Sequence, residues 1–100
     1  MTTNIQEIDG RLVATLVGEL DSAAAPEAEK ALQPLLEAGG NDIVIDCTSL
    51  EYIASSGLRI FLSILKKARE VGSRVILRNV NEVIRDVLDL TGFISIFEFE

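Results

Sequence analysis

The chain has 100 residues, 48% of them hydrophobic and 25% charged, with a formal net charge of −7. A chain of this length builds one hydrophobic core and leaves no room for a second domain. It has no histidine and a single cysteine, which excludes Ser-His-Asp and Cys-His chemistry, His-ligated metals, thiolate zinc sites and any disulfide framework.

No apolar stretch reaches the ~18 residues of a membrane span. Met1-Thr2-Thr3-Asn4 lacks the basic and apolar regions of a signal peptide. The expectation is a cytoplasmic protein without membrane insertion. The acidic balance opposes nucleic-acid binding, which needs cations against phosphates. Charge is unevenly placed: Arg59, Lys66, Lys67, Arg69, Arg74 and Arg78 face only Glu70 within residues 52–81, while the rest of the chain is strongly acidic. Two readings follow, a basic helix lying beside its own acidic neighbours or a patch facing a partner.

Thr2–Ile8 and Arg11–Gly18 flank Asp9-Gly10, a two-residue loop that predicts a β-hairpin because a type I′ turn needs positive φ. The second arm, with Leu12, Val13, Ala14, Leu16 and Val17, alternates so little that both its faces should be covered. A helix is expected from Ala24 to Ala38, with Ser22 as N-cap and Gly39-Gly40 as its stop. Pro34 lies inside it and should kink or split it. Ile43-Val44-Ile45 reads as a buried strand. Ser55-Ser56-Gly57 opens a second helix running to Val71, with Ser55 or Ser56 capping it. Val75-Ile76-Leu77 is a further strand, Asn81 caps a third helix over Glu82–Leu90, and Ile94, Ile96, Phe97 and Phe99 suggest a last strand at an edge. The order β-β-α-β-α-β-α-β predicts a layered α/β domain.

On the second helix Leu58, Phe61, Leu62, Leu65 and Ala68 share a core face at ~100° per residue. Ile60, Ile64 and Val71 fall on an adjoining flank. Either another element covers that flank, or it is a docking surface edged by Arg59 and Lys67. A phosphate at the serines heading this helix would meet unpaired N–H groups and the positive end of the helix dipole.

Other chemistry is weakly represented. Asp21, Asp46 and Glu51 could pair as acid and base, but carboxylates at strand ends are ordinarily caps or solvated. Ser63-Ile64-Leu65-Lys66 has the S-x-x-K spacing of acyl-serine enzymes but lies mid-helix without the companion segments. No phosphate-binding glycine loop is present. Cys47, after a buried strand, reads as an inert packed thiol.

Three segments carry a resemblance. Gly18-Glu19-Leu20-Asp21 follows the hairpin, then come Asp46-Cys47-Thr48-Ser49-Leu50-Glu51-Tyr52-Ile53-Ala54-Ser55-Ser56-Gly57-Leu58-Arg59 and Leu88-Asp89-Leu90-Thr91-Gly92-Phe93. Together, and in this order over essentially the whole chain, they resemble the STAS domain, and more narrowly the bacterial anti-sigma factor antagonists. The resemblance implies a single STAS domain over residues 1–100, an α/β fold whose small mixed β-sheet carries helices mainly on one face. It implies a non-enzymatic regulator with no cofactor and no metal. Its unphosphorylated form binds an anti-sigma factor with serine kinase activity and releases the sigma factor. Phosphorylation switches it off, and a phosphoserine phosphatase restores it. By position the phosphoacceptor is Ser55, with Ser56 as the alternative. The implied partner surface comprises Asp21, Ser56, Gly57, Arg59, Ile60, Ser63, Ile64 and Lys67. The chain departs from the family at Ala54, where members often have Asp. The competing expectations are an unphosphorylated STAS scaffold or transporter-accessory subunit, and a nucleotide binder. The expected assembly is a monomer or a weak dimer, with Phe97 and Phe99 near an edge available for strand pairing.

Overall fold

The computed structural model describes residues 1–37 and 39–100. Strands β1 (Thr2–Ile8) and β2 (Arg11–Leu20) form the predicted hairpin. Asp9 and Gly10 take φ of 53° and 79°, the paired left-handed conformation of a type I′ turn. β2 then pairs in parallel with β3 (Ile43–Ile53), β3 with β4 (Val75–Arg78) and β4 with β5 (Glu98–Phe99). The sheet order is β1-β2-β3-β4-β5, a mixed sheet of the expected class. β3 runs well past the apolar triplet at its start. Register shifts between Thr15 and Val17 and between Gly18 and Glu19 on β2 keep the two long strands paired to their ends.

The segment predicted as one helix is two, α1 (Ala25–Ala31) and α2 (Gln33–Leu36). Pro34 has no N–H to donate and closes off the preceding turn, so the helix breaks before it and restarts with the proline in its first turn. The predicted end at Ala38 lies outside the described residues. Ser22 does not cap α1. The N-cap is Ala24, and the Oδ1 of Asp21 accepts the Ala24 N–H at 2.8 Å. An aspartate one position earlier holds the turn and leaves the serine free.

Helix α3 (Ser55–Glu70) follows β3 and α4 (Glu82–Leu90) follows β4. Asn81 caps α4 as expected, its Oδ1 accepting from the Ile84 N–H at 2.9 Å. Beyond Gly92, residues Phe93–Ser95 form a 3-10 turn, and only Glu98 and Phe99 pair with β4. The expected long last strand is therefore a short one. Phe97 turns inward, buried edge-to-face against Phe61 at 6.4 Å between ring centroids.

Alternation along the strands divides the apolar residues between the two faces. Ala14, Leu16, Ile43, Ile45, Val75 and Leu77 join the residues of all four helices in the main core. Val13, Val44 and Ile76 form a small separate cluster on the other face. Helices thus cover one face. On the other, Arg11 on β2 and Glu100 beyond β5 meet at 3.2 Å, so their two side chains together span the strands between them. Val17, on this same face as Val13, stays 44% exposed, so β2 is covered on both sides only over its first half.

Candidate functional site

The site is built where β2 ends, β3 ends and α3 begins. Leu20 and Ile53 are register partners at the tips of their parallel strands. The Leu20 carbonyl accepts from the Ala54 N–H at 2.9 Å, which locks the turn into α3 against the turn out of β2. Gly57 allows this closeness. A Cβ there would stand 2.7 Å from Leu20 Cγ and 2.8 Å from Ile53 Cγ1, distances no real side chain tolerates. Gly57 is therefore buried, and its place in the expected partner surface is corrected: it brings the helix down onto the strand ends.

The helix head itself is open. Neither serine is the N-cap. That position is Ala54, with extended φ/ψ of −90° and 172° and no side-chain oxygen to offer. The Ala54 carbonyl accepts from the Leu58 N–H at 3.0 Å, so the amides of Ser55, Ser56 and Gly57 precede the first helical hydrogen bond. Ser55 is the first helical residue and is exposed, while Ser56 is half-buried. The Ser56 hydroxyl donates across to Ser22 Oγ at 3.5 Å. Ser22, expected as a cap, instead belongs to this site.

Two hollows flank the corner. One, of about 290 Å³, is lined by Ser22, Glu29, Ser56, Arg59, Ile60 and Ser63 among others. The second, of about 570 Å³, carries the carboxylates of Glu19, Asp21, Glu27 and Glu51 over a floor of small residues that includes Gly18 and Ala28. Of these acids only Asp21 was expected in the partner surface. Glu27 and Glu51 come from α1 and β3, and only the tertiary fold brings them beside Glu19 and Asp21. The charge separates along the site: acids in the larger cleft, Arg59, Lys66, Lys67 and Arg69 along the outside of α3.

The Ile60/Ile64 flank is not a docking surface. Ile60 is 7% and Ile64 1% exposed. Ala25 and Ala28 of α1 and Leu35 of α2, with Leu32 between the two helices, share their buried cluster, and both short helices contact α3. The apolar arc of α3 is rotated toward them, which leaves Leu62, expected in the core, 38% exposed. Arg59, Ser63 and Lys67 are exposed on the outer side. Lys67 pairs with Glu70 at 3.5 Å and the Ser63 hydroxyl donates to the Arg59 carbonyl at 3.0 Å.

Of the three candidate acids, Asp21 and Glu51 line the larger cleft, whereas Asp46 lies outside it. Asp21 Oδ1 is engaged by the Ala24 amide, and Asp46 Oδ1 accepts from both the backbone and the hydroxyl of Thr48. Cys47 is fully buried, its thiol facing the Ile45 carbonyl at 3.6 Å. Burial, with the nearby Asp46 charge adding to it, pushes its pKa up to about 12, which removes the thiolate a reactive cysteine needs.

A mixed five-stranded sheet helical on one face, with a serine heading the helix after its longest strand, defines the class. The STAS domain family model matches residues 2–100, and the chain belongs to that family. Within it the similarity runs to anti-sigma factor antagonists. The chain is 36% identical over 97 residues to the protein named "Putative anti-sigma factor antagonist BtrV" of Bordetella bronchiseptica, covering 97% of this chain and 84% of that one. It is 31% identical over 94 residues to the anti-sigma-B factor antagonist of Staphylococcus epidermidis, with 92% and 87% covered. The crystal structure of an anti-sigma factor antagonist from Mycobacterium paratuberculosis superposes with a TM-score of 0.83 at 30% identity, over 98% of this chain and 83% of that one.

Proposed function

We propose that this protein is a cytoplasmic, non-catalytic switch whose unmodified form docks on an anti-sigma factor with serine kinase activity and so frees a sigma factor. Transfer of a phosphoryl group from a nucleoside triphosphate to Ser55 Oγ ends the docking, and a phosphoserine phosphatase hydrolyses the ester to restore it. The observation that carries this reading is the exposure of Ser55 on the first turn of α3, beside amides that no side chain caps.

The docking surface of this reading is polar. It comprises Asp21, Ser22, Ser55, Ser56, Arg59, Ser63 and Lys67, without the apolar Ile60/Ile64 edge. A phosphate on Ser55 would bring nearly two negative charges to a surface already bordered by Asp21 and Glu51. Unpaired charge at an interface costs several kcal/mol, and ~3 kcal/mol weakens binding roughly a hundredfold. Nucleotide binding is disfavoured by the same acids, since the larger cleft presents four carboxylates to any phosphate.

The test uses wild type, Ser55→Ala and Ser55→Asp as bait for the cognate kinase-like protein, with a mass measurement after incubation with that kinase and ATP. Wild type and Ser55→Ala should retain the partner and Ser55→Asp should lose it. Wild type should gain one phosphoryl group that Ser55→Ala does not. Loss on Ser56→Asp but not on Ser55→Asp would move the acceptor by one residue. A mass unchanged by the kinase would leave an unphosphorylated scaffold.

A further inference from the structure

The outer face of α3 places one cation within reach of a modified Ser55. Residues four apart on a helix lie one above the other, so Arg59 stands one turn above Ser55, and both are exposed. Arg11, Lys67, Arg74 and Arg78 are engaged in ion pairs, whereas Arg59 makes none among the described residues. It lines the smaller hollow together with Ser22, Glu29, Ser56 and Ser63. On the other side of the corner stand Asp21 and Glu51, which repel an anion.

Resting on the reading of Ser55 as phosphoacceptor, we infer that Arg59 is the internal counter-ion of the phosphorylated state, a positioning residue that closes on the phosphate from one turn above and is thereby withdrawn from the docking surface. The guanidinium fork matches phosphate oxygens bidentately, and an anion N-terminal to a cation at this spacing is the favourable orientation along the helix. The uncapped amides of the first turn hold the phosphate from below. Phosphorylation then changes the surface twice, adding an anion and taking away a cation. Lys66 cannot substitute, since eleven residues of helix separate it from Ser55 by about 16 Å.

The test needs no kinase. Phosphoserine is placed at position 55 during translation, and the second ionisation of the phosphate is followed by 31P NMR against pH. In the wild-type background it should fall below its usual value near ~6. Arg59→Gln should raise it by roughly 0.3 units or more, Arg59→Lys should return most of the difference, and Lys66→Gln should change nothing. Coincident titrations of wild type and Arg59→Gln would overturn the inference. So would an equal shift from Lys66→Gln, which would assign the effect to net charge alone. Failure of the acceptor reading shows elsewhere, as a kinase-treated wild type with no added phosphoryl group.

Discussion

Gly57 lies so close to Leu20 that a Cβ on the glycine would stand 2.7 Å from the leucine's Cγ. Leu20 is fully buried at the tip of β2, and the contact sets the height at which α3 meets the sheet. The exposed serine two residues earlier owes its position to this absence of a side chain.

Gly57→Ala tests the contact. The helical backbone at this position suits alanine, so intrinsic propensity favours the change. Overpacking opposes it and should win, with a net loss of roughly 1–3 kcal/mol in urea unfolding. Amide shifts at Ser55 and Ser56 should move in the folded variant. A variant as stable as wild type, with those shifts unmoved, would show that the strand tips yield freely.

The heads of α3 and α4 form a natural pair. Asn81 caps α4 and also donates through Nδ2 to the Leu50 carbonyl at 2.8 Å, whereas α3 begins after an alanine. Ala54→Ser should supply the missing oxygen and raise stability by about 1 kcal/mol. Asn81→Ala should lower it by about 1–2 kcal/mol, since the Leu50 carbonyl loses its donor as well. The denaturation midpoints of the two variants should therefore lie on opposite sides of wild type.

The C-terminal strand is held by charge. Glu98 pairs with Arg74 at 2.7 Å, and Glu100 with Arg78 at 2.7 Å and Arg11 at 3.2 Å, while Arg85 lies over the Phe99 ring at 5.1 Å. Hydrogen bonds from these arginines hold both glutamates below the usual carboxylate range. A carboxylate with a lowered pKa in the folded state contributes stability that is complete above the unfolded value near ~4.3 and fades as pH falls through the folded one. Hydrogen exchange at the Glu100 amide, bonded to the Leu77 carbonyl at 3.0 Å, should lose protection below about pH 4 relative to the core strands. High salt should act in the same direction, because the pairs are exposed. Paired substitution of Glu98 and Glu100 by Gln should abolish both dependences.

Cys47 gives the opposite sign at the other end of the scale. The unfolded thiol ionises near ~8.5, while the folded one stays protonated to about 12. Between those values the unfolded chain binds fewer protons, so stability should decline as pH rises. Cys47→Ala should remove that alkaline decline, though it leaves a small cavity. In native protein at pH 8 the thiol should react with a disulfide reagent only through unfolding, at a rate that rises with urea. Rapid reaction in buffer would contradict its burial.

What could be read from the residues alone was whatever local chemistry or a single period determines. Asp9-Gly10 announced the hairpin because few residues adopt its turn. Pro34 announced a break because it lacks an N–H, and Asn81 a cap because its side chain matches the orphan amides. The position of Ser55 at a helix head followed from the motif it sits in. What lay beyond reach depended on which element arrives beside which. Helical periodicity displayed the wide apolar arc of α3 but could not say that α1 and α2 would cover Ile60 and Ile64, because the covering residues lie some thirty positions away and carry no mark of their destination. The choice of Asp21 over Ser22 as the turn's acceptor, the inward turn of Phe97 and the gathering of Glu19, Asp21, Glu27 and Glu51 around one cleft have the same origin. Each is fixed by how strands and helices settle against one another, where burial and charge are balanced over the whole sheet rather than along any one segment.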